Sequence, residues 1–266
     1  MRAVVVEDLV VRYGDVVAVD GTSFSVGAGQ VYGLLGPNGA GKTSVLRVLT
    51  TLLRASSGKA WVMGHEVTAD AAAVRRLIGY VPQSLSADGA LTGRQNALLF
   101  ARLYAAPRAE RRERVEQALA RMGLEGDADR PAQTYSGGMV RRLEIACALL
   151  ASPRVLILDE PTVGLDPVAR RDVWRHLGRL REDTGATVLV TTHSMEEAEE
   201  QCQRVAVLSN GRIRAEGSPA ELRLALGRPG GTLEDVFVAL TESDRRATKG
   251  DMREVGRRRR TARRLG

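Results

Sequence analysis

The stretch Gly36-Pro37-Asn38-Gly39-Ala40-Gly41-Lys42-Thr43 decides how the rest of the chain is read. It has the form glycine, four arbitrary residues, Gly-Lys and a hydroxyl residue. It directly follows the apolar run Val31–Leu35 and precedes a helical run from Thr43 to Leu53. Glycines at these places let main-chain N–H groups close around phosphate oxygens, while Lys42 reaches the β- and γ-phosphates and the Thr43 hydroxyl ligates Mg²⁺. The helix that follows aims the positive end of its dipole at the same anion. An ordinary Gly-rich turn would match this pattern by accident on the order of one time in a hundred in a chain of this length. The expectation is therefore a nucleoside triphosphate bound by Gly36, Pro37, Asn38, Gly39, Ala40, Gly41, Lys42, Thr43 and Ser44.

Working outward, short apolar and β-branched runs bounded by Gly, Pro or Asp recur at Thr22–Val26, Gln30–Leu35, Lys59–Met63, Ile78–Pro82, Val155–Asp159, Thr187–Thr192 and Arg204–Leu208. Several are apolar on both faces, which predicts an α/β fold around a partly parallel, buried sheet. Between the fourth and fifth of these runs the pattern changes: Ser84–Leu150 is helical almost throughout. Arg108–Met122 is typical, charged but with Val115, Leu119 and Met122 on one face. This predicts a helical subdomain inserted at about residues 84–150. Thr232–Leu240 predicts a short amphipathic helix with Thr232 as N-cap, Asp235 three residues on, and Leu233, Val236, Phe237 and Leu240 on one face.

The chain has 266 residues, 44% hydrophobic and 27% charged, which suits a soluble globular domain with a sizeable core. Its net charge of +7 is not spread over the body. Residues 245–266 hold ten Arg or Lys against Asp251 and Glu254, which leaves the remainder one charge negative. The reading is a folded domain over 1–242 and a basic, flexible tail over 243–266. The tail has three readings: a solvated segment, attraction to an anionic membrane leaflet, or contact with nucleic acid. No aromatics interleave its arginines, which makes nucleic acid the weakest of the three.

Cys147 and Cys202 are far apart, with no metal-ligand spacing, and read as reduced thiols. Glu7 and Asp8 break the apolar character of Met1–Gly14, so it does not read as a secretory signal. No run approaches the roughly 18 apolar residues that span a bilayer. Work at a membrane would need a second chain to supply the spanning part.

Two further segments carry chemistry. Val155-Leu156-Ile157-Leu158 ends in Asp159-Glu160, and carboxylates just past a buried strand lie where open α/β sheets bind ligands. Asp159 would support the Mg²⁺ shell, and Glu160 would orient or deprotonate the attacking water. Tyr135-Ser136-Gly137-Gly138-Met139 opens a helix with apolar Met139, Leu143, Ile145, Ala146 and Leu150. Its hydroxyl and exposed amides can bind an anion, although alone it reads as a plain helix N-cap.

Taken together and in order, these segments resemble the ATP-binding-cassette (ABC) ATPases. Tyr135 and Met139 depart from that family's usual Leu-Ser-Gly-Gly-Gln signature, while Ser136, Gly137 and Gly138 match it. The resemblance implies a P-loop NTPase fold of the ABC type, a mixed sheet with an antiparallel β-subdomain and an inserted α-helical subdomain. It further implies that Tyr13 stacks on the adenine and that Gln83 senses Mg²⁺ and the γ-phosphate. Asp166, in Val163-Gly164-Leu165-Asp166, would face a partner subunit, and His193 would contact the γ-phosphate. Catalysis would rest on Glu160, His193 and Lys42, and the Mg²⁺ site on Thr43, Gln83 and Asp159. Two copies would sandwich two ATP molecules, with Ser136 of one copy serving the phosphate loop of the other.

Leu34-Leu-Gly-Pro-Asn-Gly, Thr51-Leu-Leu-Arg, Leu91-Thr-Gly-Arg-Gln-Asn, Tyr135-Ser-Gly-Gly-Met and Leu233-Glu-Asp-Val-Phe look like the ATP-binding subunits of daunorubicin-resistance-type multidrug exporters. His193 stands where that subfamily often has Gln. The resemblance implies ATP hydrolysis that powers export of a drug, antibiotic or lipid through a separate six-helix permease, at the cytoplasmic face of a bacterial membrane. The alternative is a soluble ABC ATPase acting on ribosomes or DNA. Those usually carry two cassettes or a long coiled coil, and this sequence has neither.

Overall fold

The computed structural model describes residues 1–104, 106–225 and 231–240. The basic segment 243–266 and its three readings therefore lie outside the described residues. In chain order the strands are β1 (Arg2–Tyr13), β2 (Val16–Gly27), β3 (Val31–Leu35), β4 (Ser57–Val62), β5 (His65–Glu66), β6 (Ile78–Val81), β7 (Val155–Asp159), β8 (Thr187–Thr192), β9 (Arg204–Ser209) and β10 (Arg212–Gly217). The helices are α1 (Lys42–Leu49), α2 (Ala71–Leu77), α3 (Gly93–Leu103), α4 (Arg111–Arg121), α5 (Gly137–Leu149), α6 (Pro167–Thr184), α7 (Met195–Gln201), α8 (Pro219–Ala225) and α9 (233–240).

The strands form two sheets. One is antiparallel and four-stranded, in the order β2-β1-β4-β5; the other is six-stranded, in the order β10-β9-β3-β8-β7-β6. In the second sheet β6, β7, β8, β3 and β9 run parallel and only β10 is antiparallel. The parallel strands are buried on both faces, which is why they appear in the sequence as continuous apolar runs. On one face Leu35, Leu156, Leu158, Val188, Val190, Val205 and Val207 join a core with residues of α3, α4, α5 and α6. On the other, Tyr32, Leu34, Val155, Ile157, Leu189, Ala206 and Leu208 join α1 and the antiparallel sheet. α1 buries Val45, Leu46, Val48 and Leu49, each worth about 1.5–3 kcal/mol against exposure.

The predicted helical stretch holds α3, α4 and α5 between β6 and β7. α3 is closed at its start by a reciprocal capping box between Thr92 and Gln95, and Val115, Leu119 and Met122 are fully buried as the periodicity requires. α9 begins as the sequence predicts. The Asp235 amide donates to Thr232 Oγ1 at 3.3 Å and the Thr232 amide to Asp235 Oδ2 at 2.9 Å, with Leu233 and Val236 in the core.

β1, β2 and α1 differ from expectation, and β5 and β10 are not among the predicted strands. β1 is absent from the predicted strands because its alternation changes phase. Val4 and Val6 point inward, then Leu9 and Val11, and the irregularity between them leaves Asp8 at φ 46°. The predicted strand at Thr22 begins earlier, at Val16, to pair with β1. α1 stops at Leu49 rather than Leu53, because Thr51 turns into the left-handed region at φ 62°. The amides of Leu52 and Leu53 fold back onto the Arg47 carbonyl at 2.8 and 3.0 Å.

Parallel strands β6, β7, β8 and β3 lie side by side, so their carboxyl ends share one edge. Gln83 follows β6, Glu160 follows β7, His193 follows β8 and the phosphate loop follows β3. The sheet thus brings four separate stretches of sequence to one place.

Candidate functional site

The loop between β3 and α1 wraps a cavity of about 400 Å³ lined by Ala18, residues 37–44, Gln83 and Glu160. Two of its glycines are required sterically. A Cβ on Gly36 would lie 2.3 Å from the Leu208 carbonyl oxygen, and one on Gly41, whose φ is 105°, 2.4 Å from that of Ala18. The main chain can therefore follow this path only where side chains are missing. Gly41 is the residue before α1, so the unpaired amides of the first turn face the cavity.

Lys42 is 5% exposed and curls back over the loop. Its Nζ donates to the carbonyl oxygens of Gly36 at 2.7 Å and Pro37 at 3.1 Å, and lies 3.1 Å from Glu160 Oε1. The second oxygen of Glu160, Oε2, accepts from Gln83 Nε2 at 3.3 Å and lies 3.3 Å from His193 Nδ1. One buried carboxylate thus joins three of the sequence-predicted residues. Glu160 itself sits at φ 48°, a left-handed conformation that costs a non-glycine residue about 1–3 kcal/mol. It is held there by its amide, which donates to Thr191 Oγ1 at 2.9 Å and to the Thr191 carbonyl at 3.2 Å.

Asp159 is buried and accepts from Thr191 Oγ1 at 2.6 Å. On the same sheet edge the Tyr80 hydroxyl is pushed up to about 12, by burial first and by the Asp159 carboxylate second. Tyr13 is half exposed, and its hydroxyl lies 3.3 Å from Ser44 Oγ. Burial pushes the thiols of Cys147 and Cys202 up, and no cluster of three His, Cys, Asp or Glu able to hold a metal occurs among the described residues. Thr43, Gln83 and Asp159 carry oxygens of the hard-donor type that suits Mg²⁺, and Thr43 and Gln83 line the cavity.

Ser136, Gly137, Gly138 and Asp166 do not line this cavity. Ser136 caps α5, accepting from the Met139 amide at 3.3 Å, and Asp166 caps α6, accepting from the Val168 and Ala169 amides at 2.9 and 3.0 Å. The two helix starts pack on each other: a Cβ on Gly138 would lie 2.8 Å from Ala169 Cβ, and one on Gly137 3.2 Å from Leu165 Cδ2. The chain therefore carries two clusters, a phosphate cavity and a separate Ser-Gly-Gly and Asp surface.

Sequence reasoning missed several participants. Ala18 lies on the part of β2 that was not predicted. Thr191 orients both Asp159 and Glu160, and its only signal was a Thr-Thr pair at a strand end. Arg141 donates to the carbonyls of Pro82 at 2.8 Å and Gln83 at 3.1 Å, and Glu144, ion-paired with Arg141 at 3.0 Å, accepts from Ser86 Oγ at 3.0 Å. These two clamp the Gln83 segment to α5. Ser194 and Glu197 read as a capping box, but only half of one forms. Ser194 Oγ accepts from the Glu197 amide at 3.2 Å, while the Glu197 carboxylate turns inward.

A family model described as "ABC transporter" matches residues 19–163. The daunorubicin/doxorubicin resistance ATP-binding protein DrrA of Streptomyces peucetius is 46% identical over 226 residues, 85% of this chain and 68% of its own. Among solved structures, one described as the ATP-binding subunit of an ABC transporter superposes with TM-score 0.79 at 29% identity, covering 90% of this chain and 99% of its own. The dimeric, post-hydrolysis ATP-binding cassette MJ0796 bound to ADP and Pi gives 0.71 at 26% identity, covering 81% and 98%.

Proposed function

Because the chain belongs to the ABC transporter family, and so is an ATPase of the P-loop α/β class, we propose that it powers a bacterial exporter of a drug, antibiotic or lipid. The observation that carries the hydrolytic reading is the Glu160 carboxylate, held by Lys42, Gln83 and His193 at the mouth of the phosphate loop.

In this reading Tyr13 stacks on the adenine, the amides of residues 36–44 hold the phosphates, and Lys42 leaves Glu160 to neutralise the β- and γ-oxygens. Gln83 and His193 shift from Glu160 to the γ-phosphate. Both oxygens of Glu160 are thereby released to orient and deprotonate the attacking water. Thr43, Gln83 and Asp159 would hold Mg²⁺, with Thr191 fixing the Asp159 carboxylate. When bound, Mg²⁺ would neutralise phosphate charge.

Ser136, Gly137, Gly138 and Asp166 serve the phosphate cavity of a second copy, so that two chains close around two ATP molecules. Their clustering away from the cavity of their own chain supports this arrangement. Residues 1–242 act as the ATPase domain, and the helices of 84–150 transmit closure to a separate membrane-spanning permease at the cytoplasmic face of the cell membrane. Among the described residues no helix is long and apolar enough to cross a membrane.

The test is Glu160→Gln with MgATP on a sizing column. The amide keeps the shape of the site but cannot take a proton, so the variant should accumulate as an ATP-bound dimer. A variant that turns over ATP at the wild-type rate would remove Glu160 from its role.

A further inference from the structure

Glu197 lies four residues past His193, and capping of α7 uses only its main chain. Its side chain is 4% exposed. Oε1 accepts from Trp174 Nε1 at 2.6 Å and from Thr162 Oγ1, and Oε2 accepts from Thr192 Oγ1 at 2.6 Å. All three partners are uncharged. A buried carboxylate among neutral donors is costly unless its lone pairs are well filled, and hydrogen bonds to an ionised acceptor are the strong ones. A space-filling role alone would be served by an apolar side chain.

The three donors come from segments that meet at the hydrolytic pair. Thr162 is two residues past Glu160, in the loop that leads to Asp166. Trp174 is on α6, the helix that Asp166 caps. Thr192 is the last residue of β8 and directly precedes His193. Thr192 Oγ1 also accepts from the Ser194 amide at 3.0 Å, so the direction of its proton is fixed from both sides and the main chain on either flank of His193 is held.

We propose that Glu197 is a positioning residue for ATP hydrolysis, which sets His193 against Glu160 by tying the end of β8 to the loop after β7 and to α6. A carboxylate suits this task because it only accepts, so every donor around it must point inward. The proposal rests on the reading of Glu160 and His193 as the residues that act on the γ-phosphate and water.

The experiment measures steady-state MgATP hydrolysis by the full chain for Glu197→Gln, Trp174→Phe, His193→Ala and the Glu197→Gln/His193→Ala double variant. Glu197→Gln puts an NH₂ donor beside one of three groups that need an acceptor. It should lower kcat about tenfold while the KM for ATP stays within about twofold. Trp174→Phe removes one donor and should lower kcat about threefold. Because Glu197 works through His193, the double variant should be no slower than His193→Ala alone.

Wild-type kcat in Glu197→Gln, or losses that multiply in the double variant, would overturn the proposal. If circular dichroism finds Glu197→Gln unfolded, Trp174→Phe decides, and wild-type kcat there overturns it equally. Wild-type kcat in His193→Ala would instead sink the role of His193 beneath it, a separate and recognisable failure.

Discussion

Lys42 Nζ lies 3.1 Å from Glu160 Oε1, with both side chains almost wholly buried. In the proposed mechanism Lys42 binds phosphate and Glu160 acts on water, and because the two are already paired the nucleotide must compete for Lys42. Replacing Lys42 with Ala removes charge-assisted contacts worth about 1.5–3 kcal/mol apiece. ATP affinity should fall at least about tenfold, since about 1.4 kcal/mol is a factor of ten. Titration with a fluorescent ATP analogue measures it, and an unchanged Kd would count against the loop as the phosphate site.

Two glycines with positive φ should respond differently to alanine. Gly41 combines φ 105° with a Cβ position 2.4 Å from the Ala18 carbonyl, whereas Gly14, at φ 57°, has no neighbour within 4 Å. Gly14→Ala should cost about 1 kcal/mol of stability from conformation alone and leave ATP hydrolysis intact. Gly41→Ala must in addition displace main chain at the cavity wall, so nucleotide binding should be lost. Urea titration and ATP binding on the two variants make the comparison. Equal effects would mean that the loop can relax around the added methyl.

What the sequence made legible follows from how local each signal is. The phosphate loop, Asp159-Glu160 and the strand before His193 are fixed-spacing patterns on buried parallel strands, where an apolar run and its terminating polar residue are adjacent in the chain. β10 gave no such signal: it is an edge strand whose residues are mostly exposed or half-buried, so no apolar stripe marks it. β1 was hidden by the change of phase at Asp8. The sequence around Glu197 favours a cap, while the donors its carboxylate serves, Thr162 and Trp174, are 35 and 23 residues away. Pattern reading captures contacts along an element and misses those made across the sheet edge.

Thr191 illustrates that second kind. Its hydroxyl donates to Asp159 at 2.6 Å and accepts from the Glu160 amide at 2.9 Å, so it aligns the residue assigned to Mg²⁺ and the one assigned to water together. Thr191→Val keeps the shape and removes both bonds, leaving a buried carboxylate short of a donor at a cost of about 1–3 kcal/mol. The Mg²⁺ concentration for half-maximal hydrolysis should rise and kcat should fall, with Thr191→Ser restoring both. Unaltered Mg²⁺ dependence in the valine variant would leave Thr191 a purely structural residue.

His176 supplies a pH-dependent test of how α6 joins the helical segment. Its Nδ1 lies 2.9 Å from the Arg121 carbonyl at the end of α4. Burial holds its pKa below the ordinary value, the bond to Arg121 opposes that shift, and the charges of Arg142 and Arg175 reinforce it. The folded imidazole therefore stays neutral where the unfolded one, near about 6.5, takes a proton. As pH falls through that value the unfolded state binds more protons, and stability is lost until the lowered folded pKa is reached. The urea midpoint of the wild type should fall more between pH 7.5 and 5.5 than that of His176→Asn, whose amide can still donate to the Arg121 carbonyl but does not titrate. Identical pH dependence in the two proteins would mean that the folded imidazole accepts its proton as readily as the unfolded one, and that the packing of α6 against α4 is insensitive to acid.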